Sequence, residues 1–200
     1  MPEPSETKNR ILNAAFRLFH EQGYNATSVS TILREAEVNS GSLYHFFPSK
    51  EALLCGVLEF ALDELRPRVM AHVENIHDPI ERIFALLNQY RQGMQHMSCR
   101  MGCPIGNLAL EVADDFPDAR KLIDRNFNNW TRFIKQWLVE AGDRLPADVD
   151  REQLAKFVLT VMEGAIMQSR AAGNLAPFDE SVAQFRAYVE LLKGCAKQTT

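Results

Sequence analysis

The chain has 200 residues, 46% hydrophobic and 24% charged, a globular composition with enough length for one large domain or one small and one medium domain. Its 22 Lys and Arg against 26 Asp and Glu give a net charge of −4, which argues against a uniformly basic nucleic-acid binder and leaves only local basic surfaces open. The polar start MPEPSETKNR lacks an apolar segment behind it and no apolar run nears the ~18 residues that span a bilayer, so a cytoplasmic chain with no membrane partner is expected.

Taken in order, the first predicted helix starts near Thr7 and carries Ile11, Leu12, Ala15, Leu18 and Phe19 at helical spacing, with Gly23 just past its end. Lys8 and Arg10 near its start suit either phosphate or plain solvent. Thr27 to Lys50 reads as two short helices joined by a tight turn. Thr27 and Ser28 are capping types, Val29, Ile32 and Leu33 form an apolar stripe, and Val38 anchors the turn. Asn39 or Ser40 caps the second helix, which Pro48 stops.

In that second helix Leu43 and Phe47 are expected inward, leaving Ser40, Gly41, Ser42, Tyr44 and His45 outward. Small residues at the front let a helix enter a major groove closely, while Tyr44 and His45 can donate to phosphates or base edges. This is the outline of a helix-turn-helix DNA reader, with an ordinary helical hairpin as the plainer alternative. Between Thr7 and Lys50 the cations Lys8, Arg10, Arg17, Arg34 and Lys50 outnumber the anions Glu21, Glu35 and Glu37, a modest local asymmetry in the same direction.

Ser49 caps a fourth helix with Leu53, Leu54, Val57, Leu58, Ala61, Leu62 and Leu65 on one stripe and a bend expected at Pro67. Asp78-Pro79-Ile80-Glu81 opens a fifth with a cap, a Pro at N1 and an acidic N3. Ser98 to Gly102 reads as a loop, Pro104 opens a sixth helix, and Asp114-Asp115-Phe116-Pro117 stops it and starts a long aromatic seventh that ends at Gly142. An eighth follows the Leu145–Asp150 connection and ends near Gly173, and a ninth begins at about Asp179. No segment alternates like a strand, so the fold class is all-α with about nine helices. The expected division is a helix-turn-helix domain over 1–50 and a sensing and dimerisation domain over 51–200.

The order of elements and the stretch TSVSTILREAEVNSGSLYHFFPSKEAL resemble the TetR family of one-component bacterial transcriptional regulators. The motif positions are Thr27, Ile32, Ala36, Val38, Gly41, Leu43, Tyr44, Phe46, Phe47, Lys50 and Leu53; beyond the first ~55 residues the likeness is in helix count and order. The resemblance implies a homodimer formed through the last two helices, binding double-stranded operator DNA and released by a small-molecule inducer. It makes Thr27 and Ser28 phosphate contacts, Ser40, Gly41 and Ser42 the base-edge face, and Tyr44, His45 and Lys50 phosphate or edge contacts. Glu37 departs from the Gly frequent there, and a non-Gly residue in a left-handed turn costs ~1 kcal/mol.

Four cysteines, Cys55, Cys99, Cys103 and Cys195, are too few and too scattered for a disulfide framework. Gly102-Cys103-Pro104 places a thiol at a helix N-terminus, where partial positive charge favours thiolate, so Cys103 is a candidate nucleophile and Cys99 a candidate resolving thiol. The GC-x-x-x-x-L-x-x-E-V-x-D pattern resembles a TetR subgroup that senses electrophiles or oxidants through such a cysteine. The plainer reading is a buried packing cysteine. His96, Cys99 and Cys103 make an irregular three-ligand set without an evident fourth, so no metal is assigned.

Phe127, Trp130, Phe133 and Trp137 recur at core spacing. A ligand-responsive bundle needs a hollow in such a core, for which Asn107, Tyr90, Phe127, Trp130, Met162, Glu163 and Gln168 are candidate liners. There is no phosphate-cradling Gly loop, metal-ligand set or nucleophile paired with a placed His, so neither enzyme nor cofactor is expected. The expected function is a repressor released by a neutral hydrophobic ligand or by thiol modification; a helical interaction adaptor is the alternative.

Overall fold

The computed structural model describes residues 4–198. Its helices are α1 (Pro4–Gln22), α2 (Val29–Ala36), α3 (Ser40–Phe46), α4 (Lys50–Phe60), α5 (Arg66–Ala71), α6 (Pro79–His96), α7 (Pro104–Val112), α8 (Pro117–Glu140), α9 (Arg151–Ala172) and α10 (Ala176–Gln198). A π-helical turn, Ala61–Leu65, joins α4 to α5 without a break, and a 3-10 turn, Gly142–Arg144, follows α8. Counting α4 to α5 as one rod, the described residues hold nine separate helices and no strand, an all-α architecture with an N-terminal helix-turn-helix. None of these helices is long and apolar enough to cross a membrane.

Helix starts follow from capping chemistry. Ser28, Asn39, Ser49, Asp78 and Asp150 each accept a hydrogen bond from a backbone N–H of the following turn, satisfying donors that the helix leaves unpaired. The sequence leaves α3's cap between Asn39 and Ser40; Asn39 fills it, its Oδ1 accepting from the Ser42 N–H at 2.8 Å. α10 begins three residues before the expected Asp179, because Asn174 Oδ1 accepts from the Ala176 N–H at 2.9 Å and a Pro in a first turn costs no helical bond.

At Pro67, where a bend is expected, the helix runs on, and a π turn lies just before it. Proline has no N–H to give the carbonyl four residues back, and the helix accommodates this by widening just before it, with the Arg66 N–H donating to Ala61 O five residues upstream. The buried Asn126 side chain donates to Leu58 O at 3.2 Å, next to the point where the register changes.

The chain forms two compact units: Met1–Pro67 with Cys103–Asn126, and Arg68–Gly102 with Phe127–Thr200. In the first, α1 packs on α2, α3, α4 and α7, and Ile11, Phe19, Ile32, Leu43, Leu53, Leu54 and Leu58 are fully buried. Burial of each such side chain contributes about 1.5–3 kcal/mol. Gly56 permits close packing here: a Cβ would lie 2.6 Å from Phe47 Cε1. In the second, α9 and α10 pack along each other, and Ser169 Oγ accepts from the Phe178 N–H at 3.0 Å, bracing the turn between them around Gly173 at φ +67°.

Candidate functional site

α3 is a seven-residue helix whose inner side is Leu43 and whose following residue, Phe47, is also buried. With those two anchored, Ser40, Gly41, Tyr44 and His45 are exposed and Ser42 half-exposed. Tyr44 is 48% exposed, far more than a phenol needed only for packing. His45 sits edge-on to Phe46 with ring centres 4.9 Å apart. Ser40, Gly41, Ser42, Tyr44 and His45 thus share one short helix with their outer sides open.

α2 backs α3 through a turn in which Glu37 has φ 52°, ψ 47°, the left-handed conformation anticipated at this non-Gly position. Arg10 stabilises it: its guanidinium donates to Ala36 O at 2.6 Å and Glu37 O at 2.9 Å, satisfying carbonyls at the end of α2. Arg10 is thus committed to the turn rather than presented to phosphate. Arg17 pairs with Glu35 and Glu21, joining α1 to α2 across the other flank.

One expected contact needs revision. Thr27 is 1% exposed, with its hydroxyl donating to Gly23 O at 2.6 Å, so it braces the turn between α1 and α2 and cannot meet phosphate through its side chain. Ser28, the actual cap of α2, is exposed and accepts from the Thr31 N–H at 3.1 Å. Lys50 is half-buried and donates to Tyr24 O at 2.6 Å, its ammonium 4.1 Å from the Tyr24 ring centre. Burial lowers its pKa, and the nearby Glu111 carboxylate acts in the opposite direction. One of its three N–H donors is spent internally.

The sensor candidates divide between the two units. In the first, Cys103 is the N-cap of α7 and Pro104 its first residue; Sγ accepts from the Gly106 N–H at 3.4 Å, and the residue is 7% exposed. Asn107, half-buried, donates its backbone N–H to Cys103 O at 2.9 Å. Cys55 shares this unit, but burial and then the charges of Glu51, Asp118 and Glu59 push its thiol pKa up. That makes it a poor nucleophile at neutral pH.

In the second unit, Tyr90 and Trp130 meet edge to face with ring centres 6.2 Å apart; Phe127 is half-buried and Met162 is 1% exposed. Glu163 is half-exposed. Gln168 is exposed and lines an open groove of about 550 Å³ along α9 and α10 with Phe157, Gly164, Gln184 and Tyr188. This corrects its expected place in an interior hollow: neighbouring Ser169 takes the inward position, and the helical turn carries Gln168 outward. Cys99 is buried on the turn after α6, where Ser98 and Cys99 both have positive φ, 50° and 55°.

Against known proteins, residues 11–56 match the model of bacterial regulatory proteins of the tetR family, and residues 79–184 match the C-terminal domain of LmrA/YxaF-like transcriptional regulators. The chain belongs to the TetR family. As a TetR-family protein it is a DNA-binding transcriptional regulator rather than an enzyme. It is 29% identical to the HTH-type transcriptional regulator YxaF of Bacillus subtilis over 88% of this chain and 92% of YxaF. Among solved structures it is similar to a regulatory protein TetR from Rhodobacter sphaeroides, with TM-score 0.80 and 28% identity over 88% of this chain and 95% of that one. It is also similar to the reduced form of Escherichia coli NemR, with TM-score 0.78 and 25% identity over 93% and 96% of the two chains.

Within this TetR-family fold, two polar residues tie distant segments of the first unit: Asn126, to which the sequence assigns no role, and Glu111, which the sequence marks only as a position of the cysteine-subgroup pattern. Asn126 grips the carbonyl of Leu58, as described above. Glu111, near the end of α7, accepts hydrogen bonds from the Tyr24 N–H at 2.8 Å and the Asn25 N–H at 2.7 Å. Both lie amid apolar helical spacing, and only the pairing of distant segments reveals their partners.

Proposed function

We propose that this TetR-family regulator is a dimeric repressor that binds a palindromic operator through α3 and leaves it when a small ligand or a thiol modification acts on the C-terminal helices. The observation that carries the reading is the exposed face of Ser40, Gly41, Tyr44 and His45 on a helix fixed from behind by Leu43 and Phe47. Small residues at the front allow close groove entry, and the polar pair Tyr44 and His45 supplies contacts to base edges or phosphates. Ser28 and Lys50 flank this face. Residues 1–50 form the reading part and 51–200 the sensing and dimerising part.

Dimerisation through α9 and α10 is supported by apolar side chains left in the open there: Phe157, Met167, Tyr188 and Leu191 are between 41% and 69% exposed. A patch of this kind on a helical pair favours self-association. Two readers on one dimer fit half-sites about one DNA turn apart, ~34–36 Å or a multiple, so a small pivot of α4 in each subunit removes the fit at both.

For the signal, the N-cap position of Cys103 supports a reactive thiol, because the helix N-terminus stabilises the thiolate. The likeness to NemR, a protein with a reduced form, points the same way. The aromatic pair Tyr90 and Trp130 supports the second reading, a neutral hydrophobic inducer held without a covalent bond. Mass spectrometry of the DNA-bound protein after mild electrophile or peroxide treatment separates them. Modification of Cys103 coincident with DNA release is expected; release by a neutral compound with Cys103 unmodified assigns the signal to a noncovalent inducer.

A further inference from the structure

We propose that Glu111 is a positioning residue of the DNA-reading head, through which the placement of α7 sets the turn that launches α2. The inference rests on the reading of α2 and α3 as the DNA-contacting helices. Its substance is one carboxylate gripping two successive backbone N–H groups, with Oε2 accepting from Tyr24 and Oε1 from Asn25, at 2.8 and 2.7 Å. Charge-assisted bonds of this length are the strong kind, and a pair fixes direction as well as distance.

The turn is built around that grip. Gly23 has φ +87°, and a Cβ there would lie 2.9 Å from Glu111 Oε2, so both the backbone conformation and the carboxylate require glycine. The Tyr24 carbonyl accepts from the Thr27 N–H at 3.2 Å and from Lys50 Nζ at 2.6 Å. The Tyr24 ring packs edge-on against Phe19 of α1 at 5.3 Å and Phe116, just beyond α7, at 5.4 Å. Ser28, the cap of α2, follows three residues after Asn25. Residues 23–27 are thereby held from α7 by Glu111, from α4 by Lys50 and from α1 by Phe19.

α7 spans the distance between this grip and Cys103. From the N-cap to Glu111 is eight residues, ~12 Å of helix. A shift of α7 along its axis or a rotation about it moves both carboxylate oxygens at once, and the two N–H groups must follow or lose their partners. α7 thus acts on the reading head directly through residues 23–27, alongside any movement of α4.

The test is Glu111→Gln in the full chain, which keeps volume but leaves one acceptor in place of two and removes the charge. Two readouts apply: amide hydrogen exchange of Tyr24 and Asn25 by NMR, and affinity for the DNA immediately upstream of the protein's own gene. Exchange at these amides is expected to rise about ten-fold or more, and DNA affinity to fall by a similar factor, with helical content unchanged. Glu111→Ala is expected to weaken DNA binding further than Gln. A role in packing alone predicts wild-type behaviour for the isosteric Gln. Exchange unchanged at Tyr24 and Asn25, or DNA affinity within about two-fold of wild type while exchange rises, overturns the proposal. Because the exchange arm needs no DNA, a wild-type chain that fails to bind the upstream DNA counts against the DNA-site reading and leaves the grip of Glu111 to be decided by exchange.

Discussion

The ammonium of Lys50 lies 2.6 Å from the Tyr24 carbonyl oxygen and 4.1 Å from the centre of the Tyr24 ring. The first residue of α4 is therefore tied to the turn before α2, and this clamp is separable from the DNA contact proposed for the same side chain. Lys50→Met retains the apolar stem and loses the charge. It is expected to cost about 1–2 kcal/mol in chemical denaturation and to lower the salt slope of DNA binding by about one. Burial lowers the Lys50 pKa, so the folded chain releases this proton at lower pH than the unfolded chain does. Wild type should accordingly gain stability from this group as pH rises through the window just below the ordinary lysine value, and Lys50→Met should lack that gain.

Thr27 tests the corrected geometry. Its hydroxyl donates to Gly23 O inside the fold. Thr27→Ser preserves the donor and should bind DNA within about two-fold of wild type, whereas Thr27→Val should lose about 1–2 kcal/mol of stability by removing it. Equal stability of the Val variant and wild type would show that the internal bond carries no weight.

Glu37 occupies a left-handed C-cap at φ 52°, and its side chain is 86% exposed with only a 3.6 Å ion pair to Arg10. An exposed pair of this kind contributes little, while a non-Gly residue there costs ~1 kcal/mol. Arg10's bonds to the Ala36 and Glu37 carbonyls use the backbone and survive substitution. Glu37→Gly is therefore expected to leave melting temperature unchanged or raise it slightly.

Asp78 gives the second unit an acid-sensitive joint. It caps α6, accepting from the Ile80 and Glu81 N–H groups, and meets Arg144 at 2.9 Å. Partial burial works to raise its pKa, but the bonds from Arg144, Glu81 and Ile80 and the guanidinium charge outweigh that and bring it below the usual carboxylate value. A depressed folded pKa means stability that is present above the unfolded value near 4 and lost as pH falls through the folded one. Asp78→Ala should cost about 1 kcal/mol at neutral pH, with the difference from wild type closing in urea melts as the pH falls through the depressed folded value.

Local chemistry made most of the fold legible in the sequence. Ser28, Ser49 and Asp78 announce helix starts because a cap acts within its own turn, and Leu43 and Phe47 announce the buried side of α3 because apolar spacing follows the helix period. What escaped depends on partners far along the chain. Thr27 looks like a second cap until Gly23 O is seen to hold it, and Gln168 looks like a pocket liner until Ser169 takes the inward side. Glu111 stands in the sequence only as a position of the cysteine-subgroup pattern, and its grip on Tyr24 and Asn25 joins residues 87 and 86 positions apart. A bend is the sequence's expectation at Pro67, and the structure has a π turn just upstream, because the missing N–H is felt by the preceding carbonyls.

The most direct measurement of the central claim, that α3 presents the DNA-reading face, is a fluorescence anisotropy titration of the DNA upstream of the protein's own gene. Wild type is compared with a variant carrying Tyr44→Ala and His45→Ala, both exposed and outside the core. The account predicts wild-type affinity that weakens steeply with salt and a loss of about ten-fold or more in the variant, with helical content unchanged. A variant that binds the same DNA as tightly as wild type, with the same salt slope, contradicts it.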